Sequence, residues 1–464
     1  MKRILLLIPF TEKFPYECAM RQSLSDYLAT RSEVTAYFIQ LRDQAEPIVV
    51  AGNNIWLNGV ESIYPGVLIK TMRALEYCIT AGVQFDWVVR TNISTAIDFA
   101  HFPYSEASIH EYAGSRVGVH DGVSFVGGTD ITISRRCAEL LLKHASELNY
   151  SLLDDIAIAL VFAHLQVSPY QFQVSRRALS GTLPSEYLNE ALSSAPRTPG
   201  MRTGGYTYRH RTADRDADAR QLATIVNTFA GHKRIAICYF GLTRSVHATF
   251  SSHHNLLYSP LRAAGHAIDV YMHTWRTDTP HYWWTPAPPL DYEEYRLLKP
   301  DVYKIEEQKE FIDTINFGQV FDEELYRRVG DAPEGEWHPR LILNHLCALE
   351  SQKRAFQMAQ DSRVAYDHVL FVRPDVRIIS PFDPVWLSVP YPILIPDFEH
   401  NNGYNDKFAA LSFTTADLYA KRIDEITEFR KTNGRIVSEK YVKFIIEKYY
   451  GEVACIAFRF EIIR

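Results

Sequence analysis

Two runs in this 464-residue chain place charged side chains directly after an apolar, strand-like stretch. In the first, Trp87-Val88-Val89 leads into Arg90-Thr91-Asn92-Ile93-Ser94. In the second, Val369-Leu370-Phe371-Val372 leads into Arg373-Pro374-Asp375, with Arg377 two positions on. In open α/β sheets ligands sit outside the carboxyl ends of the strands, so side chains here are the first that could reach a bound molecule. Asp375 between two arginines suits a diphosphate, and its hard oxygens could hold a divalent cation. An ordinary Pro-Asp turn closed by a surface ion pair would carry the same residues. A further run, Gly241-Leu242-Thr243-Arg244, offers a nucleotide edge with Arg244 reaching a phosphate; it is neither a Walker A loop nor a GxGxxG fingerprint.

The elements that must position these groups occur twice. Lys2 to Phe10 and Lys233 to Gly241 are each a charged pair opening a short apolar run, the pattern of a buried parallel strand. Amphipathic segments over Leu68–Tyr77 and Leu346–Met358 precede the two arginine-bearing strands. Each half then gives a second strand running into a helix: Gly127 to Ser134 before Ala138–His144, and Asn405 to Ser412 before Ala416–Arg422. Each also presents an acid at the front of a later helix, Asp154-Asp155 and Glu439, where macrodipole and capping alone would favour one. Arg373 follows Arg90 by 283 positions and Glu439 follows Asp155 by 284, so the spacing points to two copies of one α/β domain. The opening strands are only 231 apart, leaving the second copy about 50 residues longer. The boundaries read as a first domain at 1–195, a linker with a helix at 196–231, and a second domain at 232–464 with a Trp/Pro-rich insertion near 274–300.

Composition narrows the function. Apolar residues at 47% and charged residues at 22% are globular values, and 49 Lys+Arg against 55 Asp+Glu give a charge of -6, without the basic excess of a nucleic-acid binder. The six cysteines form no CxxC pair and read as reduced, mostly buried thiols. The apolar start ends at Thr11-Glu12-Lys13 without a cleavage site and reads as a strand. No stretch is long enough to span a bilayer, so the expected location is the cytoplasm, a host's if the chain is viral. Trp275, Trp283 and Trp284 read as core in preference to a sugar platform, and His253-His254 lacks the companions of a metal site.

Taken together, these blocks resemble a nucleotide-diphospho-sugar transferase of the GT-A type. In the first half, Tyr64 to Thr71, Arg90 to Ser94 and Leu153 to Ile156 resemble the corresponding blocks of β-1,3-galactosyltransferase and Fringe-like families. In the second, Val372 to Asp375, Ile395-Pro396-Asp397, Asn405 to Ala409 and Ser438 to Tyr441 resemble transferases of bacterial surface-glycan clusters and large algal viruses. The resemblance implies two Rossmann-like, mainly parallel GT-A domains in tandem, nucleotide-sugar donors, and an oligosaccharide or glycan acceptor. It maps the general base of an inverting hexosyl or pentosyl transfer to Asp154 and Asp155 in one half and Glu439 in the other. Gly128, Asp130, Asp397, Asn405 and Asp406 would line the sugars, and Arg377 the donor phosphates with Arg244 and Arg373.

The family's metal-binding DxD is altered in both halves. The first offers Arg90, Asn92 and Ser94, weak ligands for Mn²⁺ or Mg²⁺, so the leaving diphosphate is expected on Arg90 with Lys70 and Arg73. The second keeps Asp375 as a metal ligand, with Asp397 or Asp406 assisting. The implied enzyme is bifunctional; the alternatives are one catalytic domain, the second, with an acceptor-binding partner, or a glycan-binding protein without turnover.

Overall fold

The computed structural model describes residues 2–173, 202–203, 206–209, 212–277, 291–322 and 339–463. The chain divides into two compact units, Met1–His232 and Lys233–Arg464. Each is a mixed α/β unit on one large, mainly parallel sheet.

In the first unit the sheet runs in the order Tyr170–Gln171, Tyr112–Gly114, Asp130–Ser134, Trp87–Thr91, Ile4–Pro9, Val34–Arg42, Asn54–Asn58, Ile48–Ala51. Ile4–Pro9 is buried at every position, as its unbroken apolar run requires of a central strand covered on both faces. The chain leaves it on one side to pair Val34–Arg42 and returns on the other to pair Trp87–Thr91, both in parallel. That reversal opens a crevice at the carboxyl ends of Ile4–Pro9 and Trp87–Thr91. Helices Gly66–Thr80, Arg135–Lys143 and Asp154–His164 cover one face, with Leu68, Met72 and Leu75 set at helical spacing against Leu5, Leu7 and Ile39.

The second unit repeats this plan. Its sheet, Val302–Glu307, Ala267–Arg276, Arg234–Phe240, His368–Val372, Phe408–Ser412, Ile393–Pro396, Ala454–Ile456, matches seven strands of the first in chain order, neighbours and sense of pairing. Ile48–Ala51 is the first unit's addition. Helices Pro339–Asp361 and Ser438–Tyr449 supply Leu346, Leu349, Phe356, Tyr441, Val442 and Ile445 to the core on one face.

The repeat extends to a small ribbon. Thr95–Ile97 pairs antiparallel with Thr207–Arg209, and Val376–Ile378 with Phe460–Ile462. The described part of 196–231, expected as a linker, therefore contributes to the first unit: it returns a strand to that ribbon, and helix Arg215–Ala230 packs on Pro15–Leu28, with the Tyr27 and Phe229 rings 6.4 Å apart. Strands of two and three residues show no alternation; the helix was expected from its apolar spacing, but spacing alone does not say which unit Ala219, Leu222, Ile225 and Val226 pack into. Of the tryptophan-rich stretch, Trp275 is core, buried and donating Nε1–H to the Cys347 carbonyl at 2.9 Å; Trp283 and Trp284 lie outside the described residues. Cys78, Cys137, Cys238 and Cys347 are buried free thiols, Cys18 and Cys455 exposed ones. Among the described residues no helix is long and apolar enough to cross a membrane.

Candidate functional site

A cleft of about 980 Å³ opens at the first unit's crevice, walled by Arg90, Asn92, Ser94, Gly128, Asp154, Asp155 and Lys70 among others. Arg90, next to last in its strand, is buried, with Nε 2.6 Å from Asp154 Oδ2 and Nη1 donating to the Gly128 carbonyl at 2.6 Å and to Asn92 Oδ1 at 3.2 Å. Asn92 Nδ2 donates to the same carbonyl. From the opposite side Asp155 Oδ2 accepts the Gly128 N–H at 3.0 Å, while its Oδ1 accepts the N–H of Ile156 at 3.0 Å in the first turn of its helix. Gly128 is thus held through both its N–H and its carbonyl. A Cβ there would stand 3.0 Å from Arg90 Nη1 and 3.3 Å from Asp155 Oδ2, which accounts for the glycine.

The adjacent acids divide their work. Asp154 is 4% exposed; burial raises its carboxyl above the usual range, and Arg90 opposes this without cancelling it. It fixes the guanidinium. Asp155 is half-buried and is the more exposed of the two on the cleft wall. Lys70 is buried, donates to the Phe10 carbonyl at 3.1 Å and pairs with Glu61; burial lowers its pKa against that partner. Glu17, on the same cleft, accepts the Thr11 N–H at 2.8 Å, and burial raises it.

Two residues expected here are elsewhere. Arg73 sends its guanidinium to the carbonyls of Asn58 and Pro47, at 2.7 and 2.6 Å, away from the cleft. Asp130 is fully buried; its oxygens accept the Ser115 N–H at 2.8 Å, the Ser115 hydroxyl at 2.6 Å and the Tyr206 hydroxyl, and burial lifts its carboxyl to about 6. It ties strands together where a sugar contact was expected.

The second unit's pocket, about 380 Å³, lies at the corresponding crevice and gathers Arg244, Arg373, Asp375, Asp406 and Glu439. Asp375 is buried between two guanidiniums: Arg373 donates from Nε at 2.9 Å and Nη2 at 2.6 Å, and Arg244 from Nη2 at 2.7 Å and Nε at 3.2 Å. Burial would raise its carboxyl, but Arg373 and then Arg244 hold it below the usual range. Glu439 Oε1 accepts from Asn401 Nδ2 at 3.0 Å and lies 3.6 Å from Lys407 Nζ, and Oε2 accepts the Ser438 hydroxyl at 2.9 Å. Lys407 also pairs with Asp406 at 2.8 Å; burial would raise that carboxyl, but Lys407, Arg373 and His345 together hold it below the usual range.

Arg377, Asp397 and Asn405 do not line this pocket. Arg377 stands on the ribbon and pairs with Glu461 at 3.1 Å. Asp397 pairs with Arg459. Asn405 is buried and shapes its own loop, donating to the Phe398 carbonyl at 3.2 Å and accepting the Lys407 N–H at 2.9 Å. The residues do not fit a divalent cation at Asp375, because both oxygens already serve guanidiniums and a cation would share the space with two positive charges.

Sequence reasoning missed Glu17, Glu61 and Arg215 in the cleft and His345, Lys407 and Arg422 in the pocket. Lys407 was within reach, being next to Asp406 in the quoted run. The others come from helices and loops whose local pattern carries no sign of a site.

Two other clusters have the residue types of a site. Ser351, His273 and Glu306 have the order of a hydrolase triad, with His273 Nδ1 2.9 Å from Ser351 Oγ and Nε2 3.0 Å from Glu306. Ser351 is fully buried and gives its one hydroxyl proton to the His273 carbonyl at 2.8 Å, so it braces the fold. Asp98 Oδ2 lies 2.7 and 2.6 Å from Nδ1 of His101 and His232, and these are the three described residues grouped closely enough to hold a metal. Such separations are hydrogen-bond lengths, and they fit a carboxylate accepting two imidazole N–H groups.

No protein-family model matches the chain, and no curated protein matches it. Among solved structures it is similar to the apo form of mouse xyloside xylosyltransferase 1, at 12% identity and a TM-score of 0.26 over 48% of this chain and 85% of that one.

Proposed function

We propose that this protein transfers sugars from nucleotide-diphospho-sugar donors to a glycan acceptor, with one site in each unit. The observation that carries the reading is a repeated arrangement. In both units an arginine stands at the carboxyl end of the strand beside the crevice, Arg90 or Arg373, and a carboxylate from the opening of a later helix, Asp155 or Glu439, lines the same hollow.

That pairing suits an inverting displacement. The acceptor hydroxyl attacks the anomeric carbon and its proton passes to Asp155 or Glu439; the bond from that carbon to the diphosphate breaks, and the electron pair leaves with the phosphate oxygen. Guanidiniums fixed beforehand by Asp154 or Asp375 meet the charge that develops on the leaving group without having to reorganise. Asn92, Ser94 and the Gly128 backbone line the first cleft near Arg90 and supply hydrogen-bonding groups for a sugar. The cleft volume of about 980 Å³ is at the upper end of small-ligand sites and accommodates donor and acceptor together.

The test is release of nucleoside diphosphate from a panel of nucleotide sugars by the full chain, with and without added oligosaccharide. Slow hydrolysis of one donor, accelerated by an acceptor, is the expected result. Failure to bind or turn over any donor would sink the proposal and leave glycan binding as the better account.

A further inference from the structure

We infer that the second unit holds the diphosphate of its ligand directly on Arg244 and Arg373, with no divalent cation between them. This deepens the reading of the pocket as a nucleotide-diphospho-sugar site and rests on that reading. Arg244 follows the strand Arg234–Phe240 and Arg373 follows its parallel neighbour His368–Val372, so the two guanidiniums stand at the ends of adjacent strands, one on each side of the crevice.

Asp375 joins them. It is 2% exposed, and its four contacts, between 2.6 and 3.2 Å, take up the Nε/Nη2 edge of both guanidiniums. A cation bound to Asp375 would need those oxygens at about 2.0–2.6 Å and would have to displace both arginines. The nearby Asp406 is committed to Lys407, so the pair of free carboxylates that a metal bridge requires is not assembled from these residues. The position matching Asp375 in the first unit is Asn92, which carries no charge. The chemistry present is that of an anion site. Arg244, Arg373, Lys407 and Arg422 outnumber Asp375, Asp406 and Glu439, and planar guanidiniums bind phosphate oxygens in pairs. Asp375 is then a positioning residue, setting the two forks side by side.

Calorimetry on the full chain tests this, in an Arg90→Gln background that weakens the first cleft. The probes are inorganic pyrophosphate and a panel of nucleoside diphosphates, each in EDTA and in Mn²⁺. Binding in EDTA, weakened about tenfold or more by Arg244→Gln and by Arg373→Gln and only partly restored by Arg373→Lys, is the expected result. Asp375→Asn should weaken it less than either glutamine substitution, with a melting curve confirming that the variant folds. Binding that requires Mn²⁺ and vanishes in Asp375→Asn would overturn the cation-free site and leave the transferase reading standing. If neither the background variant nor the wild-type chain binds any probe or nucleotide sugar in either condition, both fail.

Discussion

Asp155→Asn separates a first-turn helix carboxylate from a catalytic base, because the structure sets the size of each effect. The substitution keeps an oxygen that can accept the Gly128 N–H, now 3.0 Å from Asp155 Oδ2, so the grip on that peptide survives in neutral form. Losing a negative charge from the first helical turn costs about 0.3–1 kcal/mol. Weakening a charge-assisted hydrogen bond to a neutral one costs about 1 kcal/mol. Against this, removing Asp155 relieves Asp154, whose raised carboxyl owes part of its shift to that neighbour after burial. The net loss is about 1 kcal/mol, or about 2–4 °C in melting temperature for a unit of this size. If Asp155 accepts the acceptor proton, kcat for one transfer falls about 10²–10⁴-fold, with the donor KM little changed because Arg90 and Asp154 are intact. Urea unfolding and steady-state kinetics on the same preparation decide it. A drop of less than about threefold in every turnover, with the expected small loss of stability, would refute the base assignment and leave Asp155 an acid favoured in the first helical turn.

Other substitutions probe the frame. Gly128→Ala should fold, since Arg90 Nη1 and Asp155 Oδ2 need yield only a few tenths of an ångström, yet it should lower turnover about tenfold or more; Gly114→Ala, whose Cβ would meet the Asp130 carbonyl at 2.8 Å and the Val126 side chain, should instead lower the melting temperature sharply. Arg73→Ala should leave donor KM unchanged and cost about 1 kcal/mol in urea unfolding, because its guanidinium bonds only carbonyls away from the cleft. Asp98→Asn should cost about 3 kcal/mol by stranding two imidazoles. Burial would raise the Asp98 carboxyl, but His101 and then His232 hold it below its unfolded value near 4. Its contribution is therefore full above about pH 4 and is lost as pH falls toward the folded value, so acid unfolding should begin at higher pH in the variant.

The repeat was legible because its strands are buried on both faces and read as continuous apolar runs, and because the same charged residues follow them at nearly constant spacing. Arg90, Asp154 and Asp155 in one unit and Arg373, Asp375 and Glu439 in the other could be located from that pattern alone, and each lines a hollow. Facing was not legible. Lys70 and Arg73 lie one turn apart on one helix, yet Lys70 turns inward to the Phe10 carbonyl and Arg73 outward to Pro47 and Asn58. Asp130 opens a strand in a run that looked like a sugar contact, but Ser115 and Tyr206, 15 and 76 positions away, close over it. The ribbon strand Thr207–Arg209 is too short to carry a period, which is why a structural part of the first unit read as a linker.

On the function proposed above, two hollows of like construction each carry a transfer. Mass spectrometry of the products made from a donor mixture and an oligosaccharide acceptor tests it most directly, comparing wild type, Asp155→Asn, Glu439→Gln and the double variant. Two distinct mass increments in the wild type are predicted, one lost in each single variant and both in the double. Unchanged products in all four would contradict it.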